Sequence, residues 1–374
     1  MPASPGAAPM PPHPERARPR SAPPRSGLAG RLRAAFFANR RDAVVTLALL
    51  ALVAIVLPGL LDWLVFDAVW GPQPAAACEA ARGQGACWAV VWEKFRFMMF
   101  ATYPYAEQWR PGIVVAVLVA LPVLSAWPRM WNPFLPFVWV AGCLLAFWLM
   151  GGGAGLVPVP ASQWGGLPVT LMLTIFGIAF AFPIALLLAL GRRSRLPVVR
   201  ALSITWIEVV RGVPLIAVLF MASVMFALFM PAGFNVEQLL RAQVAIIVFV
   251  AAYLAEVIRG GLQAVPRGQY EAAQALGLPY WRMMGLVILP QALRIAIPPI
   301  VNSFIALFKD TSLVVVIAIF DFAYAVKKSV ETDAAWKKYF LEALLFSMLV
   351  YWIGCYAMSR YARWLERRTG QARR

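Results

Sequence analysis

Hydrophobic positions in this chain come in long unbroken runs, not in the alternation of a half-buried strand or the narrow stripe of a soluble helix. The runs fall near residues 44–66, 113–127, 135–150, 165–190, 204–230, 244–258, 297–320 and 341–361. About 20 residues of helix cross a hydrocarbon core about 30 Å thick, so each run is a candidate span. Three of them, 113–127, 135–150 and 244–258, are short and need their flanks, as when the first is extended back to Trp109. A β-barrel also satisfies every backbone group in lipid, but its strands are shorter and alternate with period two. The pattern predicts an all-α polytopic membrane protein with eight transmembrane helices.

Composition agrees: of 374 residues, 61% are hydrophobic and 14% charged, far from the balance of a soluble domain. A net charge of +17 could serve a nucleic acid, but its placement gives it another use. When the loops are assigned alternately to two sides, most Lys and Arg fall on the side that holds both termini, the bias of cytoplasmic segments. No nucleic-acid partner is expected. Residues 1–43, with MPPHPERARPRSAPPR at their centre, carry too little apolar surface to fold and read as a disordered cytoplasmic tail. The first apolar run starts only at Val44, late for a secretory signal; an Arg-rich organellar transit peptide is the alternative. Arg31, Arg33, Arg40 and Arg41 precede the first span, where anionic headgroups attract basic side chains. Cys143 and Cys355 lie in spans as apolar filler. Cys78 and Cys87, in CEAARGQGAC, either close a small disulfide loop in an oxidising periplasm or stay as two free thiols.

The uncharged run GGGAGLVPVPASQWGG divides the chain. Before the linker 151–164 lies a three-span extension, 44–150, with a large external loop at 67–112. After it comes a five-helix core, 165–364, followed by a basic tail at 365–374. The core contains an echo, EVVRG at 208–212 and EVIRG at 256–260. In each, Glu and Arg stand three apart on one helix face, so Glu208 can pair with Arg211 and Glu256 with Arg259. A local ion pair stabilising a helix end is one reading; a gate or docking role is the other.

The longest cytoplasmic connection, 259–296, is half polar. Pro266 with Gly268 marks a helix start and Gly277 with Pro279 a stop, which predicts one short helix near 268–276 and a second from Pro279 to Leu289, ending at Pro290. Together they form a helix-turn-helix outside the bilayer. Ala272, Ala275 and Leu276 follow i, i+3, i+4 spacing, and Glu271 sits in the first turn, where the helix dipole favours a carboxylate. So short a helix needs something to rest on, either lipid headgroups or another protein.

Glu271, Ala272 and Ala273, then Gly277, then Leu289 and Pro290, form a pattern that resembles the cytoplasmic loop of permease subunits in binding-protein-dependent ABC importers. Val287 stands where that family usually has Ile, a conservative departure. VRGVPLIAVLF, EVIRGGLQAVPRGQYEAAQALG and LFKDTSLV resemble its polar amino-acid branch, and the extension with WGGLPVTLMLT and GRRSRLPVVRAL resembles the larger permeases of general L-amino-acid uptake. The resemblance implies a transmembrane permease of an ATP-driven L-amino-acid importer in the bacterial inner membrane. Gly268, Glu271, Ala272, Ala273, Gly277, Leu289 and Pro290 would form its coupling loop on an ATPase dimer that binds ATP and Mg. A second permease, homologous or a copy of this chain, and a periplasmic amino-acid-binding protein are the other implied partners.

No nucleotide cradle lies in the chain itself: none of Lys94, Lys309, Lys327, Lys328, Lys337 and Lys338 follows a glycine, as a phosphate-binding loop requires. No cofactor or metal site is expected either, since His13 is the only histidine and no cluster has ligand spacing. Lys309 and Asp310 fall in the seventh span, where each charge costs about 2.5–3.5 kcal/mol. Adjacent residues point about 100° apart, so either each finds a partner elsewhere or the helix is locally unwound. With Asn302 two turns earlier and Thr311 and Ser312 following, the stretch is a candidate surface for an amino acid's charged groups; a buried ion pair locking helices is the alternative. The family resemblance adds Ser303 by position. Two rival functions remain: an ion-gradient-driven secondary transporter relaying through Lys309, Asp310 and Glu256, and a membrane scaffold or receptor that transports nothing.

Overall fold

The computed structural model describes residues 27, 30, 32, 35–130, 132–231 and 236–368. Most of the expected N-terminal tail, with Arg31 and Arg33, and most of the basic C-terminal tail lie outside the described residues. Among the described residues the chain is helical apart from turns and isolated β-bridges. It divides into two compact units, one ending at Phe66 and one starting at Asp67. The first is carried by helix α1, Arg40–Phe66.

The second unit contains α2 (Ala75–Ala80), α3 (Ala89–Phe100), α4 (Trp109–Ser125), α5 (Leu135–Gly151), α6 (Leu167–Arg192), α7 (Pro197–Gly212), α8 (Leu215–Leu228) and α9 (Gln238–Ala264). It continues with α10 (Arg267–Ala275), α11 (Tyr280–Ile317), α12 (Phe322–Glu331) and α13 (Phe340–Arg368). Among the described residues six helices are long and apolar enough to cross a membrane, or up to seven if one bent pair counts as a span. Two of the short apolar runs gain the flanks they needed: α4 starts at Trp109, and α9 extends 244–258 to 27 residues. The third, α5, has 17 residues, about 25 Å of helix.

The predicted span 204–230 needs correction. Its first third belongs to α7, and α7 and α8 meet at 101°. Pro214 is the cause: it disfavours helical backbone in the residue before it, and Val213 is extended at φ −106°, ψ 134°. α7 buries Ser203 and Ile207 and exposes Val198, Leu202, Trp206 and Val209, so it is two-faced where α8 is apolar.

Small residues decide how the core closes. Gly177, Ala181, Ala185 and Ala189 recur every fourth residue and form a buried stripe along α6, which lets helix backbones approach closely where lipid provides no hydrophobic drive. A Cβ on Gly177 would lie 3.0 Å from Ile246 of α9 and 3.1 Å from Leu307 of α11. At Gly261 of α9 it would lie 2.5 Å from the Ala292 carbonyl oxygen of α11. Thus α6 packs along α9, α9 along α11, and α11 along α13.

Residues 67–103 are built onto α12 and the first turns of α13. Cys78 and Cys87 form a disulfide, both buried, which settles the choice left open by the sequence. Val90 and Met98 of α3 join Phe322, Val326 and Val330 of α12 in one apolar cluster. Polar ties run around it: Lys94 Nζ to Asp333 at 2.6 Å, Lys338 Nζ to Glu79 at 2.9 Å, and the Cys87 amide to Glu342 at 3.1 Å. The segment read as a linker, 151–164, is also anchored. Arg110, fully buried, donates to the carbonyls of Leu149 (2.7 Å) and Val157 (2.8 Å), and the Trp164 indole donates to Val159 (3.0 Å).

Candidate functional site

Pro266 shapes the junction between α9 and α10. It has no N–H, so the Leu262 carbonyl four residues earlier lacks its helical donor. Two side chains supply the missing bonds: Arg193, from the loop after α6, donates to Leu262 O at 3.1 Å, and the Tyr270 hydroxyl of α10 donates to it at 3.0 Å. Arg193 also donates to the Tyr270 oxygen at 3.0 Å, with its guanidinium 5.5 Å from the ring centre. The short helix α10 is thereby latched to the ends of α6 and α9.

At its other end α10 closes with a Schellman turn. The Leu278 amide reaches the Ala273 carbonyl (3.2 Å) and the Gly277 amide the Gln274 carbonyl (2.9 Å), with Gly277 at φ +71° in the region where only glycine is unstrained. Ala273 is the one buried residue of α10. Glu271, Ala272, Ala275 and Leu276 are exposed, Leu276 by 79%, and Gly268 has open space over its Cα. The small-residue face predicted at 272, 275 and 276 points outward. Trp281, 72% exposed, and Leu286, 71% exposed, follow it in the chain.

The second arm of the hairpin differs from expectation. Pro290 does not end a helix: the helical path runs from Tyr280 through Leu289 to Asp310, so this arm is the root of span α11. A proline inside a helix lacks a donor and clashes with the preceding turn. The wider π turn Met284–Ile288, immediately before Leu289 and Pro290, makes room for it. Gln291 ties this root to α10 through Gln269 at 3.0 Å.

The two echo motifs have different fates. Glu256 pairs with Arg259, whose Nε lies 2.9 Å away, as their spacing predicts. Glu208 does not pair with Arg211; it accepts from Arg192 at 2.8 Å, and Arg192 also reaches Glu256 at 3.4 Å. Arg211 instead lies over the Tyr253 ring at 5.5 Å, its Nε buried without a partner. Arg192 is thus the hub joining α6, α7 and α9. The sequence offered Arg192 and Arg193 only as part of the basic run GRRSR; the missing amide of Pro266 was the one signal that could have drawn attention to the Leu262 carbonyl.

On α11, Asn302 and Lys309 are exposed two turns apart on one face. Among the described residues neither Lys309 nor Asp310 makes an ion pair; after Asp310 the helix tightens to 3₁₀ winding over Thr311–Ile317. Ser303 donates to the Pro299 carbonyl at 3.0 Å. Thr311 is fully buried and donates to Phe308 at 2.8 Å, so its hydroxyl is already engaged within the helix.

Residues 181–371 match the family described as "Binding-protein-dependent transport system inner membrane component". The chain is similar to the inner membrane amino-acid ABC transporter permease protein YhdY of Escherichia coli, 46% identical over 90% of this chain and 92% of that protein. It is 37% identical to the glutamate/glutamine/aspartate/asparagine transport system permease protein BztC of Rhodobacter capsulatus, over 82% of this chain and 85% of that one. Coverage of that extent has to include much of the extension before residue 165. A probable glutamine ABC transporter permease protein, GlnP of Bacillus subtilis, is 36% identical over 55% of this chain and 93% of its own length.

Proposed function

This chain belongs to the family of binding-protein-dependent transport system inner membrane components, and from that premise we propose that it is the permease subunit of an ATP-driven amino-acid importer. One observation supports this above others: α10 exposes Ala272, Ala275 and Leu276 while Arg193 and Tyr270 fix it to α6 and α9. A helix held in this way transmits displacement to the spans. A loose loop would absorb it.

In this reading a separate ATPase dimer binds ATP and Mg²⁺ and seats α10, with Gly268, Glu271, Ala272, Ala273 and Gly277 at the contact and Leu289 and Pro290 at the root of α11. Closure of the motor displaces α10, and the Arg192 network carries the motion into α6, α7 and α9. The pore is completed by a second permease, homologous or a copy of this chain, and loaded by an amino-acid-binding protein outside. Both termini are cytoplasmic. Asn302, Ser303, Lys309, Asp310 and Thr311 mark the stretch beside the path, with Lys309 offered to a carboxylate.

The test is uptake of labelled amino acids by proteoliposomes carrying the assembled importer. Leu276→Asp, which places a charge on the exposed face of α10, is expected to detach the ATPase and stop uptake. Lys309→Ala is expected to stop uptake while leaving assembly intact. Uptake driven by an ion gradient without ATP would overturn the reading, and normal uptake by Lys309→Ala would remove that residue from the path.

A further inference from the structure

At the end of α9 opposite the coupling helix lies a cavity of about 530 Å³, within the 300–1,000 Å³ typical of small-molecule sites. Trp164, Ala318 and Phe320 form walls, and Glu237, Gln238 and Arg241 line it from the start of α9. Gln238 donates to the Ile317 carbonyl and so ties this turn to the outer end of the 3₁₀ segment of α11. The next residue, Ala318, has φ +58°, a left-handed conformation that a residue with a Cβ rarely adopts. Such conformations persist where surrounding structure holds them and concentrate at ligand sites.

The charges are what need explaining. Glu237 and Arg241 are four residues apart, the spacing at which opposite charges join on a helix. Yet no ion pair joins them, and among the described residues neither side chain has a polar partner. Arg241 Nε is moreover buried without a hydrogen bond. An anion and a cation, both unpaired and both facing one cavity at a span end, together complement a molecule that carries one charge of each sign.

We propose that this cavity binds the zwitterionic head of a free α-amino acid, Arg241 taking the carboxylate and Glu237 the ammonium. The site rests on the proposed function for its substrate class. It would hold a molecule before it reaches the Lys309 stretch, to which the seven-residue 3₁₀ turn leads over about 14 Å.

The test uses the complete complex of permeases and ATPase in nanodiscs, without binding protein, and a labelled mixture of the twenty common L-amino acids as probe. Saturable binding is expected, weakened about tenfold or more by Arg241→Gln and by Glu237→Gln, as loss of one charge-assisted hydrogen bond predicts. Arg241→Lys should recover part of it. The amino acid retained should not be displaced by its decarboxylated amine or by its α-keto acid, each of which lacks one charge. If Arg241→Gln fails to fold, the exposed Glu237→Gln carries the test. Binding that both variants leave intact, or no saturable binding at all, overturns the site. So does a loss confined to affinity for the binding protein, which would make the cavity a docking contact. Uptake by the wild-type importer separates the two ideas: uptake without cavity binding refutes the site alone, whereas no amino-acid uptake refutes the functional reading beneath it.

Discussion

The two ends of α9 carry similar charges and treat them in opposite ways. At the end that leads into α10, Glu256 is joined to Arg259 and through Arg192 to Glu208, so one acid and one base from α9 are tied to two other helices. At the other end, about 22–28 Å along the helix axis from Glu256, Arg241 and Glu237 stay apart beside a cavity. A charge that has found its partner inside the protein holds helices together. A pair that could join and does not holds nothing together, and on it rests the proposed amino-acid site.

The sharpest way to break this contrast is to neutralise one acid at each end. Glu256→Gln leaves Arg192 and Arg259 without the negative charge they share and puts an amide donor in place of one of its two acceptor oxygens. It is expected to destabilise the chain by about 1–3 kcal/mol and to uncouple ATP hydrolysis from uptake. Glu237→Gln should leave the unfolding midpoint in detergent within error of wild type, since it breaks no bond. Equal melting shifts for both would dissolve the distinction.

A smaller effect is expected from Tyr270→Phe. It removes a hydroxyl that accepts from Arg193 and donates to Leu262, costing about 1 kcal/mol. Because α10 stays in place but loosely latched, more ATP should be hydrolysed per amino acid imported; an unchanged ratio would show that the latch is only packing.

The smallest lies on the face built from the extension. Hydrogen bonding to Lys94 holds the Asp333 carboxyl below its usual range, and Lys338 does the same for Glu79. A depressed carboxylate stabilises the fold above its unfolded pKa and loses that contribution as pH falls through its folded pKa. Protease protection of residues 67–103 should therefore persist at neutral pH and weaken only under acid conditions. Because these pairs are partly to largely solvent-exposed, the loss should be slight, and weakening between neutral pH and the onset of lysine titration near about pH 10 would contradict the assignment.

Much of this was legible in the sequence. Seven of the eight apolar runs each fall on one helical segment, because residues that must satisfy their own backbone in lipid have little choice but helix; the eighth, 204–230, is divided between α7 and α8 at Pro214. The start and stop of α10 were readable from Pro266 and Gly277, since a missing donor and a left-handed turn are local properties. Pairing of Glu256 with Arg259 was readable for the same reason: both partners lie on one turn. The same rule failed at Glu208 and Arg211, where Arg192 from another helix competed successfully. It failed at Pro290 too, because a π turn three-dimensionally accommodated by its neighbours absorbed the proline.

The chain's sequence by itself determined what each segment is: apolar length makes spans, Pro214 makes the bend, and small residues every fourth position make a stripe along α6 that another helix can approach. Only tertiary structure decided who meets whom. It brought Arg192 between Glu208 and Glu256, gave the Leu262 carbonyl to Arg193 and Tyr270, joined Cys78 to Cys87 beneath α12 and α13, and left Glu237 and Arg241 unjoined at a cavity. The physical reason is range. Backbone preference and hydropathy act over a few neighbouring residues, whereas a side-chain bond forms with whichever group the packing of helices brings within about 3 Å.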